Sequence, residues 1–171
     1  MMTSRAFHSI VFIACLSLLA FGLYLEHAQG LEPCPLCIFQ RIAYIVVMLV
    51  AFVAAIHNPK QWGRYIYLGL TFFTAAAGAG IAGRQTWLQH LPADQVPACG
   101  PGLEYMFEVF PMMEALNMVF KGSGECAEVQ WTFLDYSIAE WSLVCFSLIL
   151  ISSFIVLVKS RFKTLYFRIN A

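Results

Sequence analysis

The sequence predicts an all-α membrane protein: a four-transmembrane-helix bundle with two loops on the outer side. Three observations predict this fold class. The 171 residues are 60% hydrophobic and only 12% charged, which is too apolar for an ordinary soluble domain. Four apolar runs are long enough to approach or span the hydrocarbon core of a bilayer. The charged residues are divided between the two sides of those runs. At this length we expect one integral membrane domain, residues 1–171.

The predicted spans are about 9–25, 38–56, 65–83 and 141–158, and the outer loops are about 26–37 and 84–140. A signal peptide is the alternative for the first run, with Ala28-Gln29-Gly30 as its cleavage site. The apolar stretch of 17 residues exceeds the ~7–15 residues of a signal h-region, so we interpret it as a retained span. In the third run, small residues lie four apart (Ala76 with Gly80, Ala79 with Gly83), which predicts close contact with another helix.

The charged residues predict the orientation. One side of the spans carries seven cations: Arg5, Lys60, Arg64, Lys159, Arg161, Lys163 and Arg168. The other side carries all ten acids, joined only by Arg41, Arg84 and Lys121: Glu26, Glu32, Asp94, Glu104, Glu108, Glu114, Glu125, Glu128, Asp135 and Glu140. The positive-inside rule places both termini in the cytoplasm and both longer loops outside. No basic stripe lies on a soluble face, so we expect no nucleic-acid partner.

The six cysteines are of two kinds. Cys15 and Cys145 lie inside apolar runs, and we interpret them as small core residues. The other four lie on the outer side, where disulfides persist: Cys34, Cys37, Cys99 and Cys126.

The stretch from Cys34 to Arg41 opens the second span. Pro35 suits the first turn of a helix, which predicts Cys34 as the N-cap and places Cys37 in the first turn. The free amides and the positive dipole end there favour a thiolate. Arg41 lies on the same helical face, four residues after Cys37. A cation at this depth is costly unless it has a function, and the alternative is an anchor that snorkels to the interface.

Four cysteines could also bind zinc, attach haem or form structural disulfides, and each of these functions predicts its own spacing of residues in the sequence. Zinc sites usually have a second closely spaced pair, whereas Cys99 and Cys126 are far apart, so we predict no metal site. Attachment of haem needs a histidine where this chain has Ile38. Two structural disulfides stay possible, because a Cys99–Cys126 bridge would close about 28 residues and contribute roughly 3–4 kcal/mol. A bridge between Cys34 and Cys37 would stabilise little, so that pair favours redox chemistry.

The second loop contains an apolar segment, 104–120, that is too short to cross a bilayer. It is expected either to lie in the membrane interface or to pack over a small loop core. Pro111 should bend or break any helix in this segment.

These features, together with Gly124-Glu125-Cys126-Ala127-Glu128-Val129-Gln130-Trp131, resemble the disulfide bond formation protein B family (DsbB). The resemblance extends from the first span to about Val158. It implies a protein-disulfide:quinone oxidoreductase of the bacterial inner membrane with periplasmic redox loops. Such an enzyme takes electrons from a periplasmic thiol oxidase of the DsbA type and passes them to a membrane quinone, ubiquinone or menaquinone.

The resemblance also implies roles for individual residues. A partner thiolate would attack Cys99 of a Cys99–Cys126 disulfide, and exchange from Cys126 to Cys34 would release the Cys37 thiolate beside the quinone. Arg41 would hydrogen-bond a quinone carbonyl.

This chain departs from the family pattern at one position. Some members carry a histidine implicated in quinone handling, and the corresponding position here is Gln85, beside Arg84. His90 is not assumed to replace it.

Two other functions remain alternatives at the level of sequence. One is a vitamin K epoxide reductase-like exchanger, whose CxxC usually opens a helix near the end of the chain. The other is a membrane scaffold stapled by disulfides, without enzymatic activity. Thiols of a scaffold would stay oxidised whether or not quinone is present, whereas those of an enzyme would cycle.

The orientation can be tested with reporter fusions. A reporter that is active only in the cytoplasm should be on when fused after Val158 and off when fused within 94–100, because the cations lie on the first side and the acids on the second. The reverse pattern would overturn the orientation.

Overall fold

The computed structural model describes residues 4–60, 62–92, 94–98 and 103–169. Its elements, in chain order, are α1 (Ser4–Gln29), α2 (Pro35–His57), α3 (Trp62–Gln89), α4 (Leu103–Val109), α5 (Met112–Lys121), α6 (Gly124–Ala127), β1 (Thr132–Phe133), β2 (Tyr136–Ser137) and α7 (Ile138–Ile169). The two strands form a small antiparallel hairpin that leads directly into α7.

Four of these helices are long and apolar enough to cross a membrane: Ser4–Gln29, Pro35–His57, Trp62–Gln89 and Ile138–Arg161. They confirm the predicted fold class. Each helix extends beyond its apolar run, because hydropathy marks the edge of the bilayer whereas intrahelical hydrogen bonds satisfy the backbone in water as well. The extension of α3 to Gln89 matters most, because it places Arg84 and Gln85 on a helix and not in a loop.

The bundle packs in sequence order, with α1 against α2, α2 against α3, and α3 against α7. Its core contains Phe7, Val11, Cys15, Tyr44, Val47, Ala51, Leu68, Ala75, Ala82, Phe146 and Ile149, and Cys145 packs against it. Large apolar side chains are exposed around the outside, among them Ile13, Leu49, Phe73 and Leu148. Apolar surface on both the inside and the outside of a bundle is what a lipid environment requires.

A second apolar cluster lies where the outer loop covers the ends of α2 and α3. It contains Cys34, Leu36, Leu88, Met106, Ala115, Val119 and Cys126. The predicted break is present, since α4 ends at Val109 and α5 begins after Pro111. The segment 104–120 therefore contributes to a loop core, while Met112 and Met113 of α5 stay exposed. That this exposed face lies in the membrane interface stays a prediction.

Two contacts attach the end of α5 to α3. The Arg84 guanidinium donates hydrogen bonds to the carbonyls of Phe120 (3.2 Å) and Lys121 (2.8 Å), where the last turn of a helix leaves acceptors free. Gly122 follows with φ 84°, and a Cβ at this position would overlap Leu88. The turn at Gly122 directs the chain back toward α2.

The closest glycine contact in the bundle differs from the predicted pairs. Gly78 of α3 lies against the ring of Phe146 on α7, and an added Cβ would overlap that ring. Gly80, in contrast, would place a Cβ in open space, and at Gly83 the nearest atom would be Leu143 Cδ1 at 3.8 Å. The spacing of small residues predicted a close approach of helices correctly but did not identify the residue that makes it.

Replacing Gly78 by alanine should destabilise the bundle. The Phe146 ring cannot move freely because it stacks on Tyr44 at a centroid distance of 4.0 Å. Overpacking of this kind costs typically ~1–3 kcal/mol. Gly80→Ala is the matched control, which should be neutral or stabilise by up to ~1 kcal/mol. Thermal denaturation midpoints in one detergent measure both variants, and equal midpoints would contradict the expected difference.

Candidate active site

The N-terminus of α2 holds the sulfurs of Cys34 and Cys37. Cys34 is the N-cap, as predicted, and its sulfur accepts a hydrogen bond from the Cys37 amide at 3.4 Å. Pro35 occupies the first helical position, where no amide is needed. The two sulfurs lie 3.1 Å apart, in hydrogen-bond contact. Among the described cysteines, none forms a disulfide, so the geometry is that of the dithiol form.

Cys126 of α6 joins this pair from the outer loop. It is fully buried, and its sulfur accepts hydrogen bonds from the Cys34 thiol and from the Leu36 amide at the start of α2. Ser123 adds its amide, and its hydroxyl lies 3.7 Å from the Cys126 sulfur. Three of the four predicted redox cysteines are therefore in one cluster. Cys99 lies outside the described residues.

Hydrogen bonding shifts the pKa values of Cys126 and Cys34 in opposite directions. The Cys34 thiol is the main cause that lowers the pKa of Cys126 from 9.0 to about 6, and the amides of Leu36 and Ser123 act in the same direction against the effect of burial. The pKa of Cys34 is raised, first because its thiol donates to Cys126, then because it donates to Cys37 and is buried. In the reduced site, the hydrogen bonds therefore favour an anion on Cys126 and a proton on Cys34.

Two buried glutamine side chains complete the surroundings of the sulfurs. Gln85 of α3 places its Nε2 3.2 Å from the Cys37 sulfur and 3.4 Å from the Cys34 sulfur. Gln40 of α2 donates to Gln85 Oε1 at 2.6 Å. The sequence alone predicts no role for Gln40 and leaves that of Gln85 open. A usable signal existed for Gln40, because it is an uncharged polar residue in an apolar span, three positions after Cys37.

A cavity of about 540 Å³ adjoins the thiols between α1, α2 and α7. Its walls are mostly apolar, with Leu18, Leu25 and Trp141 among them, and Trp131 and Phe133 line it from the hairpin side. Cys37 and Arg41 both line this space. The sulfur and the cation on one face of α2 therefore meet the same cavity.

Arg41 is held in place by α1. Its guanidinium forms an ion pair with Glu26 and donates to the carbonyl of Gly22 at 3.3 Å. Its side chain is 27% exposed. The sequence did not predict this partner, and the pairing explains how a cation is tolerated at the edge of the bilayer.

A second, small cavity of about 40 Å³ reaches Cys34, Cys37 and Gln85 from another direction. Its lining includes the acids Glu32, Glu125 and Glu128. This volume is sufficient for one or a few water molecules, so the thiols have a polar, acidic neighbourhood on the loop side.

The other two residues whose roles were left open lie elsewhere. Arg84 binds the end of α5, and its guanidinium lies 4.3 Å from the ring centre of Trp87. His90 is exposed, with Nδ1 2.8 Å from the Thr86 carbonyl and Nε2 3.7 Å from Glu140. Neither lines a cavity described above, whereas Gln85 does.

Known proteins match this chain over nearly its whole length. The family model for Disulfide bond formation protein DsbB matches residues 4–156. Disulfide bond formation protein B of Hahella chejuensis is 54% identical over 145 residues, which cover 85% of this chain and 88% of that protein. The protein of the same name in Marinobacter nauticus is 49% identical over 158 residues, with 92% and 94% covered. The chain belongs to the DsbB family.

Membership in the DsbB family confirms the predicted family, fold class and class of function. The chain is a membrane oxidoreductase of disulfide bond formation. The reductase-like exchanger and the stapled scaffold are not favoured.

The lowered pKa of Cys126 predicts a specific pH dependence of the reduced protein. A thiolate absorbance phase with a midpoint near pH 6 should be present in the wild type and missing in Cys126→Ala. Cys34→Ala should move that midpoint upward, because it removes the strongest donor. Since the folded pKa lies below the ordinary 9.0, the anion stabilises the reduced fold fully above about pH 9 and loses this effect as the pH falls through about 6. A wild-type midpoint near 9 would contradict the assignment.

Proposed function

We propose that this DsbB family protein reoxidises a periplasmic dithiol oxidase of the DsbA type and transfers the electrons to a membrane quinone. One observation carries the proposal: a cluster of three redox thiols adjoins a large apolar cavity that Cys37 and Arg41 line together. The thiols would exchange disulfides with a soluble partner, and the cavity would bind a ligand that enters from the lipid phase. The catalytic cysteines would be Cys34, Cys37, Cys99 and Cys126.

The first exchange takes place between the partner and the outer-loop pair. A partner thiolate attacks the Cys99 sulfur of a Cys99–Cys126 disulfide, and Cys126 leaves as a thiolate. A low pKa makes a good leaving group, which the value of about 6 at Cys126 supports. The second partner thiol then displaces Cys99, so the partner gains a disulfide and the outer-loop pair gains two electrons.

The second exchange moves the electrons to α2. The Cys126 thiolate attacks the Cys34 sulfur of a Cys34–Cys37 disulfide, a Cys126–Cys34 bond forms, and Cys37 is released as a thiolate. The position of Cys34 supports this route, because it lies in the same buried cluster as Cys126 and its thiol is the main cause of the lowered pKa of Cys126. Attack by the Cys99 thiol on Cys126 restores the outer-loop disulfide and leaves Cys34 and Cys37 as the dithiol.

The size and lining of the cavity beside Cys37 support the head group of a quinone as its ligand. Ligand sites are typically apolar clefts of about 300–1,000 Å³ with a few polar groups, and this one is apolar apart from groups such as Cys37, Arg41 and Glu26. A bound quinone, either ubiquinone or menaquinone, supplies an acceptor for two electrons and two protons. The Arg41 guanidinium, oriented by Glu26 and Gly22, would donate to a carbonyl oxygen and favour negative charge there. Cys34 and Cys37 return to the disulfide.

The chemistry requires a defined location for the protein. The four helices make it a multi-pass membrane protein. We place it in the bacterial inner membrane as one integral domain, with both termini in the cytoplasm and both redox loops in the periplasm. The one-sided distribution of cations supports this orientation.

Quinone reduction by the purified protein tests the function together with the role of Arg41. Given a reduced periplasmic dithiol oxidase, the wild type should reduce ubiquinone or menaquinone, and Cys99→Ala should not. Arg41→Met loses a charged hydrogen bond worth roughly 1.5–3 kcal/mol, so the apparent quinone affinity should fall about ten- to a hundred-fold. Arg41→Lys keeps the charge but loses the planar fork, and its affinity should lie between the two.

A single turnover of partner oxidation is the control for the Arg41 variants. It should change far less than the quinone dependence, because that chemistry begins at Cys99. An unchanged quinone dependence in Arg41→Met would reduce Arg41 to an interfacial anchor. Absence of quinone reduction by the wild type with either quinone would refute the proposed function.

A further inference from the structure

We infer that Gln85 is a further catalytic residue, whose amide N–H groups stabilise the anion of Cys37 when its disulfide opens, and that Gln40 positions this amide. The inference deepens the proposed function and rests on Cys34–Cys37 as a redox pair. It starts from distances: Gln85 Nε2 lies 3.2 Å from the Cys37 sulfur and 3.4 Å from the Cys34 sulfur. Gln40 and Gln85 are each only 4% exposed.

Gln40 decides which end of the Gln85 amide faces the sulfurs. A glutamine amide can be turned either way, and its orientation follows from its hydrogen-bond partners. Gln40 Nε2 lies 2.6 Å from Gln85 Oε1, so the oxygen of Gln85 is used by a donor on α2. The NH₂ group is then directed at Cys34 and Cys37. The Cys37 thiol can also donate to Oε1, but at 3.5 Å this contact is longer than the one from Gln40. Because Gln40 touches Gln85 and not the sulfurs, it is a positioning residue.

The amide distinguishes between the redox states of the pair. A disulfide sulfur is a weak acceptor, whereas a thiolate accepts a charge-assisted hydrogen bond of about twice the usual strength. A buried donor without a good partner is costly, so Gln85 favours the state in which Cys37 is an anion. In the exchange, the Cys126 thiolate bonds to Cys34, the Cys34–Cys37 bond breaks, and its electron pair stays on Cys37. Cys37 need not be protonated to leave, because the Gln85 amide donates a hydrogen bond to its thiolate.

Other charged and titratable groups near Cys37 cannot replace this neutral donor. From α2, Cys34 is in direct contact and Arg41 is one turn further along, engaged with Glu26. From the loops come Cys126 and the acids that line the small cavity, namely Glu32, Glu125 and Glu128. The acids disfavour an anion on Cys37. Gln85 supplies a hydrogen bond directly to the sulfur and adds no charge.

The test uses the Cys34–Cys37 pair alone, without quinone or partner. The background variant is Cys99→Ala/Cys126→Ala, studied as quinone-free protein in detergent. The first quantity measured is the dithiol–disulfide equilibrium of Cys34 and Cys37 in glutathione buffers. The second is the rate at which iodoacetamide alkylates Cys37 at pH 7, with the alkylated residue identified by fragment mass. Gln85→Met should shift the equilibrium toward the disulfide and slow alkylation, each about ten- to a hundred-fold. Gln85→Glu is nearly isosteric, and its ionised form cannot donate and adds a negative charge, so above the pKa of that carboxyl both quantities should change at least as much.

Two further variants separate the chemistry from packing. Gln40→Met keeps Gln85 but frees its amide to turn, so the same two quantities should change in the same direction by a smaller factor. Gln89→Met is the matched control on α3, because Gln89 accepts from the Ser137 hydroxyl at 2.7 Å, and neither quantity should change.

The inference is overturned if Gln85→Met and Gln85→Glu both stay within twofold of the background, or if Gln89→Met shifts the equilibrium as far as they do. Should Gln85→Met fail to fold, Gln85→Glu and Gln40→Met decide. Neither measurement involves quinone or the periplasmic partner, so a failure here leaves the quinone assay standing. A failure of the quinone assay likewise leaves the thiol equilibrium as a separate result.

Discussion

The N-terminus of α2 is the constraint on which the rest of the site depends. The first turn of a helix leaves its amides without internal partners, and here two of them point at sulfur: Cys37 to Cys34, and Leu36 to Cys126. Pro35 needs no partner at the first position. A sulfur anion is thus stabilised by backbone that would otherwise be unsatisfied in an apolar surrounding. Any change that frays this turn would affect all three thiols together.

The outer loop is folded so that Cys126 reaches that turn. Arg84 holds the end of α5 on α3, Gly122 turns the chain against Leu88, and α6 then carries Cys126 inward. This arrangement explains why α3 continues beyond the bilayer. Its last turns provide both the anchor for the loop and the Gln85 amide at the sulfurs. The exchange centre is therefore assembled by three elements distant in sequence, and the loop core keeps them in contact.

The sequence predicted the features that depend on interactions between neighbouring residues, and it did not predict contacts between elements that are distant in sequence. Spans, the N-cap at Cys34 and the break at Pro111 depend on neighbouring residues, so periodicity and local propensity were sufficient. The contacts of Gln85 with Cys37, of Glu26 with Arg41 and of Cys34 with Cys126 join different elements. Composition contains no information on which polar residue of α3 faces α2. The spacing of small residues in α3 failed for the same reason, because the ring that selects Gly78 is on α7.

The two cavities give the cysteines different surroundings. The acidic small cavity is lined by Cys34 and Cys37, and the large apolar one by Cys37 and Arg41. Cys37 borders both, whereas Cys126 is buried and contacts Cys34. In the proposed mechanism, electrons that arrive at Cys126 therefore reach the apolar space through the α2 pair. The lowered pKa of Cys126 and the raised pKa of Cys34 favour the same order in the proposed mechanism, in which the Cys126 thiolate attacks Cys34. In the proposed mechanism, the order of the exchanges follows the order in which the three described thiols lie, from Cys126 through Cys34 to Cys37.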